Sequence, residues 1–373
     1  MQAHDLSVGG DVLQRVMRCA RSAIGRYGCH PATGVALLNV SENATYLVSD
    51  PDQGPSILRV HRLGYHTEVE IDSELAWMDA LRAEAGVRTP RILPATDGSR
   101  VITSADPSSG EQRQCVRFEY LAGSEPAVTP GGSGPSPDDA VSPRTGPADA
   151  LHFEELGEIT ARMHTHSRQW ARPAWFSRFH WDYECALGAR ARWGRWQDGV
   201  GIGAAEREVL GRLDAVLRSR LAAFGTGPER YGLIHADTRL ANLLVSDGAG
   251  DGAGARTGTG TGTAAAGRSP VAVIDFDDCG FSWYLYDAGT SVSFFEHQPQ
   301  VPGLIDSWLT GYRRAADLPA ADEAEIWTFI LLRRLLLVAW IGSHTAVDIA
   351  RELGAGYTRD SCDLAERYLS SHG

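Results

Sequence analysis

The residue pattern of this chain changes across one stretch, residues 123–149, GSEPAVTPGGSGPSPDDAVSPRTGPAD. Gly, Pro, Ser and Asp dominate it, which predicts a flexible surface insertion rather than a packed element. Before it, short β-rich runs are split by turn residues: ATGVALLNV, ATYLVSD, SILRVHR, RILPATDG, RVITSAD and QCVRFEYLAG. Such runs predict antiparallel strands. Two helices accompany them. DVLQRVMRCARSAIGRYG has helical periodicity and ends on a glycine. EIDSELAWMDALRAEAG puts Leu75, Met78 and Leu81 on one face, with Gly86 near its end. After the insertion the period turns helical, in FEELGEITARMHTHSRQW, in EREVLGRLDAVLRSRLAAFG and from residue 303 nearly to the end. The expectation is an α+β fold of two lobes. Residues 1–122 form a small β-rich lobe and residues 150–373 a larger, mainly helical one, and a chain of 373 residues is long enough for both.

The second lobe also carries two short apolar strands, LLVS and VAVIDF. The low-complexity residues between them, 246–269, predict a disordered loop, an overgrown hairpin connection whose ends stay close. Each strand adjoins a polar constellation. LIHADTRLANLLV sets His235, Asp237 and Asn242 between apolar runs, and VIDFDDCG delivers Asp275, Asp277 and Asp278 at the mouth of a strand. These are hard oxygen ligands, suited to Mg²⁺ rather than zinc. Phosphoryl transfer needs such a set: a cation bridging phosphate oxygens and an acceptor-only carboxylate aligning the incoming hydroxyl. A plainer reading makes Asp237 a turn cap and Asn242 a turn residue. It leaves the flanking apolar runs and the second acidic cluster without a purpose. A crevice between two lobes is the natural place for a ligand.

Composition narrows the field. The formal charge is −12, which argues against a broad nucleic-acid surface. All 35 basic residues are arginines, so any task usual for lysine falls to arginine. The cysteines, Cys19, Cys29, Cys115, Cys185, Cys279 and Cys362, show no CxxC pair and predict reduced thiols in a cytoplasmic protein. The first ten residues lack a basic and an apolar signal region, and the longest apolar run, LLLVAWIG at 335–342, is short of a membrane span. No membrane partner is expected, and the chain is read as a monomer or homodimer.

HADTRLAN followed by VIDFDD resembles the catalytic and metal motifs of the aminoglycoside phosphotransferase and choline kinase family, small-molecule kinases with a protein-kinase-like two-lobe fold. The resemblance covers nearly the whole chain. SENATYLV looks like the family's phosphate-covering loop, ILRVHR like its third strand, SELAWMDAL like its glutamate-bearing helix, FEYLAG like its hinge and YDAG like its post-metal aspartate turn. IDFDDCGFSWYLYDAG points to the branch with homoserine-kinase-like enzymes, hydroxylysine kinases and bacterial stress-response Ser/Thr kinases.

The resemblance implies ATP and Mg²⁺ as cofactors and a hydroxyl of a small, amine-bearing molecule as acceptor. Asp237 would be the catalytic carboxylate, with His235 supporting its loop and Asp287 bracing the loop backbone. Asn242 and Asp275 would hold the metal, with Asp277 as a further metal or substrate group. Glu74 would pair with Arg59, with Glu70 and Glu68 as the other choices; Arg59 stands where the family has lysine and can bridge phosphates bidentately. Ser41 and Asn43 would replace glycines in the phosphate loop, and the backbone of Glu119 and Leu121 would read the adenine. Asp182, Tyr183, Arg239, Trp283 and Glu296 are the substrate candidates. His164 and His166, at i and i+2, predict capping or loop roles. LLRRLLLVAW predicts a buried helix with Arg333 or Arg334 reaching outward, or else gripping a substrate anion. Two other readings are a Ser/Thr protein kinase and a weak nucleotide-binding pseudokinase, the latter suggested by Arg59 and the glycine-poor loop.

Overall fold

The computed structural model describes residues 9–40, 42–126, 147–246 and 271–372. Ser41, most of the 123–149 insertion and nearly all of the 246–269 loop lie outside the described residues. The first lobe begins with helix α1 (Gly9–Ile24) and three strands, β1 (Gly34–Val40), β2 (Ala44–Asp50) and β3 (Gly54–Val60). Helix α2 (Glu68–Glu84) follows, then β4 (Ile102–Ala105) and β5 (Gln112–Glu119). The strands form one antiparallel sheet in the order β1-β2-β3-β5-β4. Val16, Cys19, Ala20 and Ala23 of α1 pack on Tyr46, Val48, Leu58 and Val60 as a separate small core. RILPATDG does not form the expected strand. It makes one bridge, Ile92 to Phe118, because Pro90 and Pro94 remove ladder donors and Asp97–Gly98 turns the chain.

Helix α2 shows how sequence places a charge in a core. Thr67 caps it, with Glu70 reciprocating in a capping box. Ile71, Glu74, Leu75, Met78 and Leu81 share the buried face, so the 3.6-residue period carries Glu74 inward with the hydrocarbons.

The second lobe contains α3 (Pro147–Gln169), α4 (Tyr183–Ala186), α5 (Ala204–Phe224), β6 (Tyr231–Ile234), β7 (Leu243–Val245), β8 (Val271–Val273), β9 (Gly280–Trp283), α6 (Leu285–Ser291), α7 (Val301–Tyr312), α8 (Ala320–Glu323), α9 (Ile326–Ser343) and α10 (Asp348–His372). Antiparallel pairs β6–β9 and β7–β8 hold the two polar constellations. Val245 pairs with Val271, so the ends of the low-complexity stretch meet as expected. Helices α3 and α7 cross at reciprocal glycines, Gly157 against Trp308 and Gly311 against Glu154. His164 is no cap. It is fully buried on α3, between the Tyr312 hydroxyl at 3.1 Å and Asp287 at 3.0 Å.

Ala320–Ser343 has the length and apolarity of a membrane span, more than the run 335–342 suggested, yet 83% of its most apolar window is buried within the fold. Helix α9 is the core helix of this lobe. Neither of its arginines reaches outward, since both Arg333 and Arg334 are buried with carboxylate partners. All six cysteines are free thiols.

Candidate active site

Strand β6 ends at Ile234, and the chain turns at Ala236, whose φ of 65° is a strained conformation for a residue with a side chain. Helix α6 holds that turn. Asp287 accepts hydrogen bonds from the backbone N–H of Ala236 at 2.7 Å and of His235 at 3.3 Å. Thr238 donates to the Asp287 carbonyl at 2.8 Å. His235 donates from Nε2 to the Ile274 carbonyl at 3.1 Å and accepts from the Asp237 N–H at 3.2 Å. The imidazole therefore ties the loop to the acidic segment after β8, a supporting position.

The turn presents Asp237 to the cleft between the lobes. Asn242 donates to its Oδ2 at 2.7 Å and Arg239 at 3.2 Å, while Arg333 donates to Oδ1 at 2.5 Å. Burial alone would raise this carboxyl. Arg239, Arg333 and His235 outweigh it and hold the group below the usual aspartate range. The carboxylate is thus fixed as an anion with acceptor capacity in both oxygens.

Asp275 adopts φ 60° at the end of β8 and opens into the cleft with its side chain 47% exposed. Burial of its surroundings and the neighbouring Asp277 and Asp237 charges raise its carboxyl, against the pull of Arg59. Arg59 crosses from β3, donating to Glu74 at 2.6 Å and standing 3.5 Å from Asp275. Glu74 is fully buried; burial raises its carboxyl and Arg59 counters that. Asp277 lies deeper, 3.6 Å from His61 and 3.5 Å from His66.

Three further residues complete the cleft; only Glu42 had no expected role, since Asp278 stood in the acidic cluster and Arg333 was one of two arginines weighed as a grip on a substrate anion. Glu42, from the β1–β2 loop, pairs with Arg62 at 2.6 Å and accepts from the Trp340 indole at 3.2 Å. Asp278 accepts from the Tyr65 hydroxyl at 2.9 Å, and burial with Glu42 and Asp277 nearby pushes its carboxyl well up. Carboxylate oxygens of Glu42, Asp277 and Asp278 lie within 4.8 Å of one another. The third is Arg333. Glu42 and Asp278 were visible as acids inside SENATYLV and VIDFDD; the only signal for Arg333 was a charge pair in an apolar helix. The cavity is small, about 100 Å³, and Trp193, Phe294 and Trp340 add aromatic walls.

Other candidates fall elsewhere. Asn43 lines the cavity and accepts from the Arg62 N–H at 3.0 Å, and Arg239 lines it beside Asp237. Glu119 stands at the lobe junction, its N–H donating to the Arg91 carbonyl at 2.9 Å, and Leu121 follows just before the Ser124–Val245 pairing. Four substrate candidates are corrected, since none lines the cavity. Asp182 caps α4 by accepting from the Cys185 N–H at 2.8 Å. The Tyr183 hydroxyl donates to Asp214 at 2.7 Å. Trp283 is core, its indole donating to the Gly225 carbonyl at 2.8 Å. Glu296 is buried in an ion pair with Arg334 at 2.6 Å and accepts from Tyr357 at 3.0 Å.

A five-stranded lobe over a helical lobe, with a buried Arg–Glu pair above and an Asp–Asn loop below, defines a phosphotransferase of the two-lobed kind. The sequence matches the model of the phosphotransferase enzyme family (APH) over residues 34–254. The chain belongs to that family, and it is a small-molecule O-phosphotransferase. The amicoumacin kinase of Bacillus subtilis (strain 168) is 24% identical over 353 residues, 91% of this chain and 89% of that one. The solved structure of a microcompartment-associated aminopropanol kinase is 46% identical, covers 95% of this chain and 98% of its own, and superimposes with a TM-score of 0.79. An amicoumacin kinase bound to AMP-PNP, Ca²⁺ and Ami shares the fold at 19% identity, with a TM-score of 0.67 over 96% of this chain and 94% of its own.

Proposed function

We propose that this kinase transfers the γ-phosphoryl group of ATP, with Mg²⁺, to the hydroxyl of a short amino alcohol of the aminopropanol type. The observation that carries the reading is the lining of the cleft at Asp237, walled by Trp193, Phe294 and Trp340 and edged by Glu42 and Asp278. A small ammonium group fits it by cation–π attraction and by hydrogen bonds to the two carboxyl groups. The 46% identity with an aminopropanol kinase supports the same acceptor class.

The residues present suit a hard divalent cation. Asn242 spends its amide nitrogen on Asp237, which leaves its oxygen as a ligand, and Asp275 opens into the cleft. These two would hold Mg²⁺, which when bound supplies neutralising charge to the phosphate oxygens. Arg59, held straight by Glu74, would contact the phosphates, with Asn43 and the β1–β2 loop above them. Glu119 and Leu121 would offer backbone groups to the adenine. Asp237 would accept a hydrogen bond from the acceptor hydroxyl, align it in line with the γ-phosphorus and take up its proton as the new O–P bond forms and the bond from the γ-phosphorus to the β–γ bridging oxygen breaks, releasing ADP. Glu42 and Asp278 would hold the ammonium end.

The test is phosphorylation of 1-amino-2-propanol, ethanolamine, 1,2-propanediol and an aminoglycoside by ATP and Mg²⁺, read by mass spectrometry, with Asp237→Asn alongside. The amino alcohols should gain one phosphoryl group. The diol, lacking the amine, should lose at least about 100-fold in kcat/KM. Asp237→Asn should abolish turnover while nucleotide affinity holds. A variant with wild-type turnover would remove Asp237 from its role. Preference for the diol or the aminoglycoside would overturn the acceptor class and leave the kinase reading intact.

A further inference from the structure

We propose that Arg333 is the positioning residue that aims the Asp237 carboxylate, an inference that rests on reading Asp237 as the group that aligns the acceptor. Three donors meet that carboxylate, and they are not equivalent. Asn242 and Arg239 belong to the same loop as Asp237 and share Oδ2. Among the described residues Arg333 alone holds Oδ1, and it comes from the core helix α9. The Arg239 side chain is 29% exposed and that of Arg333 only 3%.

The guanidinium of Arg333 is itself held on several sides. Its Nε donates to the Ser293 hydroxyl at 3.1 Å and its Nη1 to the Tyr286 hydroxyl at 3.4 Å. The Trp193 ring lies 5.3 Å from its central carbon. Tyr286 belongs to helix α6, whose Asp287 also fastens the backbone of the catalytic turn. One oxygen of Asp237 is therefore locked to the rigid core through a buried charge. The other is held by donors of its own loop, so the plane of the carboxylate relative to the cleft is set by Arg333. The next residue, Arg334, is turned about 100° around the helix and pairs with Glu296 instead. Two adjacent arginines thus divide between the site and the core.

A group this constrained cannot swing toward a phosphate, so its effect is on orientation, where a misplacement of one ångström costs about 100-fold in rate. The experiment is steady-state kinetics on Arg333→Gln, Arg333→Lys, Asp237→Asn and the Arg333→Gln/Asp237→Asn double variant, with 1-amino-2-propanol as acceptor and nucleotide binding measured in parallel. Arg333→Gln should lower kcat about 100-fold with the nucleotide KM unchanged, and Arg333→Lys should recover about tenfold of that. In the Asp237→Asn background, where turnover is already lost, the same change should leave nucleotide affinity where Asp237→Asn alone puts it, because no carboxylate remains to be aimed. A kcat within about threefold of wild type in Arg333→Gln, with Asp237→Asn inactive, overturns the proposal and spares the Asp237 assignment. An active Asp237→Asn overturns the assignment itself. If Arg333→Gln does not fold, Arg333→Lys and Ser293→Ala decide: unchanged kcat in both refutes the positioning role, and a selective fall in kcat supports it.

Discussion

Glu74 is a carboxylate with no access to solvent, and Arg59 is what makes that tolerable. Removing it leaves a guanidinium buried without its strongest partner. Glu74→Ala should therefore cost about 3–5 kcal/mol by denaturant titration. It should also raise the KM for ATP, because an untethered Arg59 turns toward Asp275, 3.5 Å away. This pair was legible through the family resemblance of ILRVHR and SELAWMDAL; the alternation in ILRVHR alone would equally have served a plain strand. Asp237, Asn242 and Asp275 were legible more directly, since each lies within a few residues of an apolar strand that fixes where it emerges. Arg333 was not legible as a partner of Asp237. The two residues are 96 positions apart, and only the packing of α9 against α6 brings them together. Trp283 and Glu296 failed in the opposite way. Aromatic and acidic side chains that would suit a substrate serve equally well as buried structural groups once a backbone carbonyl or an arginine is within reach.

Among the elements, α3 and α7 approach as closely as they do because of two glycines. A Cβ at Gly157 would lie 1.9 Å from the Trp308 carbonyl oxygen, and one at Gly311 would lie 1.7 Å from that of Glu154. Backbone atoms cannot step aside as a side chain can. Gly157→Ala should cost at least about 1–3 kcal/mol, seen as a lower Tm. The β2–β3 turn makes a pH-dependent case. Asp50 accepts from the Thr33 hydroxyl and the backbone N–H groups of His30, Asp52 and Gln53, led by the Thr33 bond, and its carboxyl is held well below the usual range. Its contribution to stability is full above the unfolded-state value, about 4, and is lost as pH falls through the depressed folded value. The Tm gap between wild type and Asp50→Asn should be present at pH 7 and narrow steadily below pH 4. Helix α2 was readable from its period, and the β7–β8 pair from two short apolar runs on either side of a low-complexity stretch. Residues 91–98 were not, because an apolar start resembles a strand until its prolines are set against a ladder that needs donors.

At the scale of the molecule, one of the contacts that join the lobes is made by a loop tip. Glu42 reaches from the β1–β2 loop to Trp340 on α9, closing over the cavity from above. Trp340→Phe keeps the ring and removes the donor. Hydrogen exchange across β1 and β2 should quicken in that variant while α9, buried on all sides, exchanges as before. The lysine-free composition then takes on a chemical meaning through Arg59. Reagents that acylate amines, including acyl phosphates of nucleotides that deliver their label to an amine beside the phosphates, need a side-chain nitrogen that can shed a proton and attack. A guanidinium stays protonated and does not. With arginine at that position and no lysine elsewhere in the sequence, such a probe should occupy the cleft and leave the side chains around it unmarked. An inventory of kinases compiled by amine labelling would pass over this enzyme even while it is turning over its substrate.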